Sequence, residues 1–322
     1  MQTIKKNRKL AAIVLAALGI VLAFGLAACG GSSASSSASS AESSASASSE
    51  SASSAESSAS ASSESASSES ASSASAASAS QASGDNVIKV GASPTPHAEI
   101  LNDVVVPLVE KAGYKLEVVE FTDYVLPNTA TEDGEIDANY FQHIPYLDSF
   151  NKDNNTHLVN VAAVHIEPMS IYAGKTASLD ALADGATVAV PNDTTNEARS
   201  LLLLQKAGLI ELSDPENPVA TIKDITSNPK NLQFKEVEAA TVPTILPDVD
   251  IAVINTNYAI GANLGSDLVL LTEASDSPYV NVLVVKEGNE NSEKTKVLVD
   301  AITSQEVKDY IAKKYEGKVV AV

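Results

Sequence analysis

The sequence predicts an α/β fold for the part of the chain that follows residue 85. Short β-branched runs alternate there with amphipathic helical stretches, which is typical of layers built on largely parallel sheets. The stretch from Asn86 to Val322 is also long enough to form two lobes. Finally, several apolar runs end in polar turns, and α/β folds bind their ligands beyond the carboxyl ends of strands.

The pattern of apolar residues gives the individual elements. The predicted strands are Val87–Gly91, Lys115–Glu120, Ile136–Asn139, Leu158–Val164, Ser170–Ala173, Ala186–Val190, Leu232–Val237, Ile251–Asn255, Leu268–Leu271 and Val280–Val285. The predicted helices are Ala98–Ala112, Pro145–Asn151, Thr195–Ala207, Ser292–Thr303 and Gln305–Lys314.

The N-terminus has the pattern of a secretory signal. A basic start, Met1–Lys9, precedes the apolar stretch Leu10–Ala28, and small residues come before Cys29. The sequence Leu-Ala-Ala-Cys resembles the lipobox of bacterial lipoproteins, in which the cysteine is acylated, for example with palmitate, and becomes the new N-terminus. Cys29 is the only cysteine, so we expect residues 1–28 to be a signal peptide and Cys29 to be lipidated. The alternative is an uncleaved transmembrane helix, since the apolar stretch could just span a bilayer.

The segment that follows, residues 29–85, has low complexity. Ser32–Gly84 is nearly pure Ser and Ala with interspersed Glu, and it offers no large apolar residue to bury. Such a composition predicts a disordered linker. As a coil its ends lie about 40 Å apart, which suits a tether between a lipid anchor and a folded domain at residues 86–322.

The charge of the chain limits its partners. The formal net charge is −20 at pH 7, and it becomes more negative when the basic leader is removed. So acidic a chain argues against nucleic acid as a partner.

One stretch of the second half has the features of an anion site. After a predicted strand and the turn Pro191–Asp193, a helix is predicted with Thr194 as its N-cap and Glu197 at capping-box spacing. Arg199 follows in the second turn and is the only arginine after residue 28. A guanidinium beside free backbone N–H groups is suited to holding one carboxylate, and Asn196 adds an amide on the same helix face. The alternative is a surface arginine in an ion pair.

Two further turns contain candidate ligand-binding residues. The segment Tyr140–Tyr146 contains three aromatic residues and His143, although the whole chain has only nine Tyr, five Phe and no Trp. That concentration favours the wall of a pocket over ordinary core aromatics. The apolar run ending at Asn255 is followed by a second amide, but Asn is common in turns for backbone reasons.

Signals for catalysis are weak. The sequence has no G-x-S-x-G elbow, no Gly-rich phosphate loop and no H-E-x-x-H motif. His165 with Glu167 is the one pair that suggests a metal, and a Ser-His-Asp arrangement stays open because sequence does not test it.

Taken together, these turns resemble the methionine-binding lipoprotein family, the substrate receptors of bacterial methionine ABC importers. The resemblance covers Ile88–Val322. The matching segments are Val90–Leu101, Phe121–Val125, Gly134–His143, Pro191–Arg199, Asn228–Leu232, Ala252–Asn255 and Ser277–Asn281.

The resemblance implies a two-lobed periplasmic-binding-protein-like fold of type II, with the ligand in the cleft between the lobes. We expect lobe 1 at about residues 86–173 and 275–322, and lobe 2 at about 174–274. In the family's pattern Arg199 holds the ligand carboxylate with Asn196 alongside, and Asn255 binds the head group. Residues that the resemblance places around a thioether side chain are Tyr124, Phe141 and His143, with Tyr140 and Tyr146 as further candidates.

The expected function is therefore that of a non-catalytic receptor without a cofactor. The resemblance implies that it is anchored by lipid on the extracytoplasmic face of the cell membrane. There it would bind L-methionine and deliver it to an ABC permease with its ATPase, acting as a monomer. The alternatives are a receptor for a Met-containing dipeptide or another small amino acid, a secreted α/β hydrolase, and a metal-ion receptor.

Overall fold

The computed structural model describes residues 86–322 with the exception of residue 276. The predicted signal peptide, Cys29 and the linker lie outside the described residues. Within the described part, two mixed sheets of six and five strands form the centres of two lobes, and a two-stranded ribbon lies beside the second sheet. The predicted α/β class is confirmed.

The strands of the described residues are, in chain order, β1 (Val87–Ala92), β2 (Lys115–Glu120), β3 (Ala138–His143), β4 (Leu158–Ile166), β5 (Ser170–Ala173), β6 (Thr187–Pro191), β7 (Glu211–Leu212), β8 (Ile225–Ser227), β9 (Gln233–Val237), β10 (Ile251–Ile254), β11 (Val269–Thr272), β12 (Val280–Lys286) and β13 (Val320–Ala321). The α-helices are α1 (Val106–Lys111), α2 (Leu126–Glu132), α3 (Ile144–Asn154), α4 (Thr194–Lys206), α5 (Val242–Ile245), α6 (Thr256–Gly261), α7 (Glu293–Ile302) and α8 (Gln305–Tyr315).

The sheet of the first lobe has the strand order β13-β4-β12-β3-β1-β2. Strand β1 pairs in parallel with β2 and β3, whereas β12 runs antiparallel to β3 and β4. Alternate residues of β1, Ile88 and Val90, pack into a core that helices α7 and α8 close with Leu298 and Ile311. The period of two in β1 and the amphipathic stripes of the helices therefore meet in one core.

The sheet of the second lobe has the order β11-β5-β10-β6-β9, with β6 parallel to both β9 and β10. Its central strand β10 is apolar at every position because both faces are covered. Along β10, Ile251 and Val253 pack on the α4 side, whereas Ala252 and Ile254 pack on the side of α5 and α6.

Two crossover segments, residues 167–169 and 273–279, connect the sheets. The expected lobe boundary at residue 173 was wrong by a few residues, because β5 pairs with β10 and β11 of the second sheet. The strand was predicted correctly, but a strand's own sequence does not tell which sheet it joins. The first lobe is therefore residues 86–166 and 280–322, and the second lobe is residues 170–272.

The helix predicted over Ala98–Ala112 is a composite. Wide, π-helical turns at Pro94–Ala98 and Leu101–Val105 precede the short helix α1. The sequence did not predict α2, α5 and α6, which have four to seven residues and too few turns to show a helical period. The small strands β7, β8 and β13 were missed because each has only two or three residues, too few to show an alternating pattern.

The N-cap of α4 is Asp193 and not Thr194. The Asp193 carboxylate accepts a hydrogen bond from the backbone N–H of Asn196 at 3.0 Å. A carboxylate is the stronger acceptor at the positive end of a helix, so it displaces the neighbouring hydroxyl. Glu197 does not complete a capping box, since its side chain accepts from the backbone N–H of Ile222 at 3.1 Å.

Within residues 86–322, apart from residue 276, no helix combines the length and the apolar character needed to cross a bilayer.

Gly174, directly after β5, offers a test of the second lobe's packing. A Cβ atom at this position would lie 2.4 Å from the backbone oxygen of Val249 and 2.5 Å from that of Leu246, and backbone atoms cannot rotate away. We expect Gly174→Ala to cost about 2–3 kcal/mol of unfolding free energy, which lowers the melting temperature by roughly 5–10 °C. The matched control is Gly261→Ala, where the nearest atom to a new Cβ is 3.6 Å away. Equal melting temperatures for the two variants would contradict this prediction.

Candidate functional site

A cavity lies where the carboxyl ends of β3, β6 and β10 meet between the lobes. Its walls combine aromatic, amide and charged side chains. The lining residues are Tyr124, Phe141, Gln142, His143, Tyr146, Glu167, Asn196, Arg199, Asn255, Thr256, Asn257 and Asn281.

A β-bulge in β3 determines which residues of this strand face the cavity. The register with β12 shifts between Tyr140 and Gln142, so Phe141 is an extra residue on this strand. A bulge interrupts the alternation of side chains, and Phe141, Gln142 and His143 consequently all line the cavity. The predicted turn at these residues is in fact the end of a strand.

Tyr140 lies on the opposite face of β3, and the structure does not bring it to the cavity. It is fully buried in the core of the first lobe, where its ring meets the His97 ring at 4.7 Å and its hydroxyl is hydrogen-bonded to Nδ1 of His165. The sequence prediction that placed Tyr140 among the ligand-binding residues is therefore corrected.

Tyr124, Phe141 and Tyr146 form an aromatic wall. The ring centroids of Tyr124 lie 5.9 Å from those of both Phe141 and Tyr146. The Tyr146 hydroxyl donates to the backbone oxygen of Tyr124 at 2.9 Å, which fixes the two rings relative to each other. Burial raises the pKa of the Tyr124 and Tyr146 hydroxyls, so both stay neutral.

His143 has a defined tautomer. Its Nδ1 accepts the backbone N–H of Tyr146 at 3.1 Å and thereby caps α3. The proton is therefore on Nε2, which donates to Oδ1 of Asn196 at 3.2 Å. Burial, together with the nearby Arg199 charge, lowers the pKa of His143 to about 3, so the ring is neutral at physiological pH.

The start of α4 orients a pair of amides. Both oxygens of the Asp193 carboxylate accept from Nδ2 of Asn196, at 2.9 and 3.1 Å. Oδ1 of Asn196 therefore points away from Asp193 and accepts from Nδ2 of Asn255 at 2.9 Å as well as from His143. Oδ1 of Asn255 is buried and has no hydrogen-bond partner among the described residues. It is a free acceptor in the wall of the cavity.

Arg199 is buried, and its guanidinium is held on several sides. Its Nε lies 3.1 Å and its Nη2 2.5 Å from Oε2 of Glu273, and Nη2 also donates to the backbone oxygen of Glu167 at 2.8 Å. The plane of the group lies over the ring of Tyr279 at 4.2 Å. The side chain is thus fixed by protein contacts and contributes to the cavity wall.

Glu167 is a buried carboxylate on the first crossover segment. Its Oε1 accepts from Nε2 of His165 at 2.8 Å and lies 3.2 Å from Nε2 of His97, which is also 3.1 Å from Oδ1 of Asn281. Burial lowers the pKa of His97 to about 4 and that of His165 to about 3, so both rings are neutral. Burial also raises the pKa of Glu167, against which the charge of Arg199 acts.

His97, His165 and Glu167 are the group among the described residues whose side chains could hold a metal ion. Their donor atoms lie within 4.8 Å of one another. The predicted pair of His165 and Glu167 is thus brought together with His97. In this arrangement His165 already donates to the Glu167 carboxylate and His97 donates to Asn281, so hydrogen bonds account for the placement of both rings beside Glu167.

Side chains of the two lobes also touch directly across the cavity. The Tyr124 hydroxyl donates to Oδ1 of Asn257 at 2.7 Å, and the Tyr258 hydroxyl donates to the backbone oxygen of Thr122 at 3.1 Å. With the bond between His143 and Asn196, these contacts hold the cleft closed.

The structure brings together seven of the eight residues that the sequence singled out as ligand-binding: Arg199, Asn196, Asn255, Tyr124, Phe141, His143 and Tyr146. Sequence reasoning missed Gln142, Thr256, Asn257 and Asn281 as lining residues, and it read Glu167 only as a metal ligand. A polar Asn281 inside the apolar run Val280–Val285 was the available signal.

Two α/β lobes joined by two crossover segments, with a cavity between them, define the class of two-lobed, type II substrate-binding proteins. A family model described as NlpA lipoprotein matches residues 88–322. The methionine-binding lipoprotein MetQ of Bacillus subtilis is 44% identical to this chain over 245 residues, which cover 74% of this chain and 89% of that protein. The chain therefore belongs to the NlpA lipoprotein family.

Solved structures agree with this assignment. A lipoprotein of Ruminococcus gnavus has a TM-score of 0.72 at 50% identity, over 74% of this chain and 99% of that one. A nutrient-binding protein of Burkholderia cenocepacia, solved bound to methionine, has a TM-score of 0.70 at 44% identity, over 73% and 99% of the two chains. The predicted family and fold are confirmed.

The lowered pKa of His143 predicts a pH dependence of stability. Between about pH 6.5 and pH 3 the unfolded chain binds a proton at this residue that the folded protein does not, so its contribution to stability is present above pH 6.5 and is lost as the pH falls. His143→Gln keeps one acceptor and one donor but does not titrate. We expect its unfolding free energy to vary with pH less steeply than that of the wild type, by about 1.4 kcal/mol per pH unit between pH 4 and 6. Urea unfolding at several pH values measures this, and parallel curves for the two proteins would refute it.

Proposed function

We propose that this protein is a lipid-anchored receptor that binds L-methionine in the cavity between its lobes and delivers it to the permease of an ABC importer. The observation behind the proposal is the division of the cavity. Arg199, Asn255 and Glu167 offer charged and polar groups on one side, and the aromatic wall of Tyr124 and Phe141 offers an apolar surface on the other. An amino acid with an apolar side chain has the same division.

The carboxylate of the ligand binds at Arg199. The bonds of Arg199 to the protein use Nε and Nη2, which leaves Nη1 for a ligand oxygen. A carboxylate held by a guanidinium in a closed site gains a charge-assisted hydrogen bond that water does not weaken.

The ammonium group of the ligand binds at the acceptors of the same wall. Oδ1 of Asn255 needs a donor because a buried, unpaired acceptor costs about 1–3 kcal/mol. The Glu167 carboxylate lines the same cavity and offers further acceptor oxygens, and its two histidine neighbours are neutral. An ammonium satisfies both residues at once.

The side chain of the ligand lies against the aromatic wall. A thioether makes favourable contacts with aromatic rings, with the sulfur about 5 Å from the ring, and Tyr124, Phe141 and Tyr146 supply such rings. The relatives support this choice, because the Bacillus subtilis protein is named methionine-binding and the Burkholderia cenocepacia protein was solved with methionine.

The geometry favours binding over catalysis. Both ring nitrogens of His143, the one histidine that lines the cavity, are engaged by Tyr146 and Asn196. A general base needs a free nitrogen within reach of a nucleophile or a water. We therefore assign His143 to the pocket wall and not to the reaction centre of a hydrolase.

The proposed cellular location is based on the N-terminal sequence and on the family. Acyl chains on Cys29 would hold the protein on the extracytoplasmic face of the cell membrane, and the linker would let the binding domain, as a monomer, reach the permease and its ATPase.

Replacing Arg199 tests the binding site. We expect Arg199→Ala to weaken L-methionine binding by about 3–5 kcal/mol, because one side of a desolvated charge pair is removed. Arg199→Lys should also bind more weakly, because an ammonium lacks the planar fork. Isothermal calorimetry of the purified protein measures both effects. Melting curves without ligand show whether each variant is folded.

A folded Arg199→Ala variant that loses less than tenfold in affinity would show that Arg199 does not hold the ligand. A wild-type protein that binds no methionine, and in native mass spectrometry carries a dipeptide or another amino acid, would replace the proposed ligand.

Replacing Cys29 tests the anchor. We expect Cys29→Ala to move the protein out of the membrane fraction while its affinity for methionine stays that of the wild type, since the lipid is attached far from the cavity in sequence. Fractionation of wild-type and variant cells decides the matter. A variant that stays as firmly bound to the membrane would make Leu10–Ala28 a transmembrane helix instead.

A further inference from the structure

The side chain that holds Arg199 comes from outside the cavity. Glu273 opens the second crossover segment, and its carboxylate meets the Nε and Nη2 edge of Arg199 at 3.1 and 2.5 Å. Glu273 is not among the residues that line the cavity. It lies behind Arg199 and faces the edge of the guanidinium that the ligand does not use.

Every recorded partner of the Glu273 carboxylate is a donor. Besides Arg199, the backbone N–H of Met169 donates to Oε2 at 3.2 Å and the Ser277 hydroxyl donates to Oε1 at 3.2 Å. Only an acceptor with two oxygens fits such a shell. An amide in its place would direct N–H groups against other donors.

The contacts of Glu273 also fix its own position. Its backbone N–H donates to the backbone oxygen of Met169 at 2.8 Å, so the two crossover segments are paired at this point. Arg199 bonds to both segments, through Glu273 on one and the backbone oxygen of Glu167 on the other. The guanidinium is therefore attached to both connections between the lobes.

We propose that Glu273 is a positioning residue, which holds the guanidinium of Arg199 in the orientation that receives the ligand's carboxylate before the lobes close. The inference rests on the proposed binding of an amino acid at Arg199. Three restraints act on one plane: the edge contact with Glu273, the bond to the Glu167 backbone and the stacking on Tyr279. A group that is ordered in advance gives up less conformational freedom when the ligand arrives.

The Glu273 carboxylate could instead compete with the ligand's carboxylate for Arg199. The geometry argues against this second role. A competitor would occupy the space of the ligand's carboxylate, but Glu273 lies outside the cavity wall and is tied to Met169 and Ser277. The two roles predict opposite signs. Loss of a positioning residue weakens the binding of a carboxylate, whereas loss of a competitor strengthens it.

The test compares L-methionine with L-methioninamide, which keeps the ammonium and the thioether but lacks the charged carboxylate. Calorimetry on the full chain gives both dissociation constants for wild type and for Glu273→Gln. We expect the variant to lose at least about tenfold in affinity for methionine, or 1.4 kcal/mol, and less than about threefold for the amide. The matched control is Glu211→Gln, an exposed glutamate of the second lobe, which makes the same change in net charge and should alter neither constant.

Glu273→Asp keeps the charge but is one methylene shorter, and it serves if the glutamine variant does not fold. We expect it to lose about three- to tenfold for methionine alone. Equal losses for the two ligands would make Glu273 a structural residue of the crossover, and a gain for methionine would make it a competitor; either result overturns the inference. A wild-type protein that binds neither ligand would instead refute the proposed function.

Discussion

A guanidinium buried between two lobes must have an anion and fixed acceptors around it, and much of this structure depends on that requirement. Leaving such a charge unpaired in a closed site would cost several kcal/mol, roughly what removal of one partner of a buried pair costs. Glu273 supplies the anion, and the backbone of Glu167 supplies a further acceptor. Because these two residues lie on the two crossover segments, the connections between the lobes and the ligand's anchor form a single unit.

The amide side chains of the site are oriented by a chain of hydrogen bonds that runs from Asp193 to Asn196 and from Asn196 to Asn255. Both oxygens of Asp193 accept from the amide nitrogen of Asn196, so the Asn196 oxygen faces away from Asp193, towards His143 and Asn255. Asn255 spends its amide nitrogen on that oxygen and presents its own oxygen to the cavity. The preference of the cavity for a donor is therefore determined partly by Asp193, a residue that does not line it. Substitutions at such a position change ligand recognition without removing any contact to the ligand.

The sequence predicted the elements of the fold better than their relations. Period-two and helical patterns located the strands and the longer helices, and the motif around Arg199 located the site. Three kinds of information are absent from local patterns. The bulge in β3 brings Gln142 to the cavity beside Phe141 and His143, so Gln142 was missed. The pairing of β5 with the second sheet depends on contacts distant in sequence, so the lobe boundary was misplaced. Glu273 and Asn281 lie at the ends of strands. Their contacts form only when the two crossover segments are brought together, so the sequence alone did not reveal their roles.

In the proposed binding mode the two halves of the ligand are recognised by different parts of the molecule, so closure of the lobes depends on the size of the ligand. The polar groups for the head group come mainly from the second lobe and the crossovers, whereas the aromatic wall belongs to the first lobe. The bonds from Tyr124 to Asn257 and from His143 to Asn196 form only when the lobes meet. A ligand too long for the cavity keeps these groups apart. Each cross-lobe hydrogen bond that then fails to form removes about 0.5–1.5 kcal/mol of stabilisation from the closed state. Selection against larger ligands therefore needs no dedicated side chain, because the cross-lobe hydrogen bonds that hold the cleft shut already impose it.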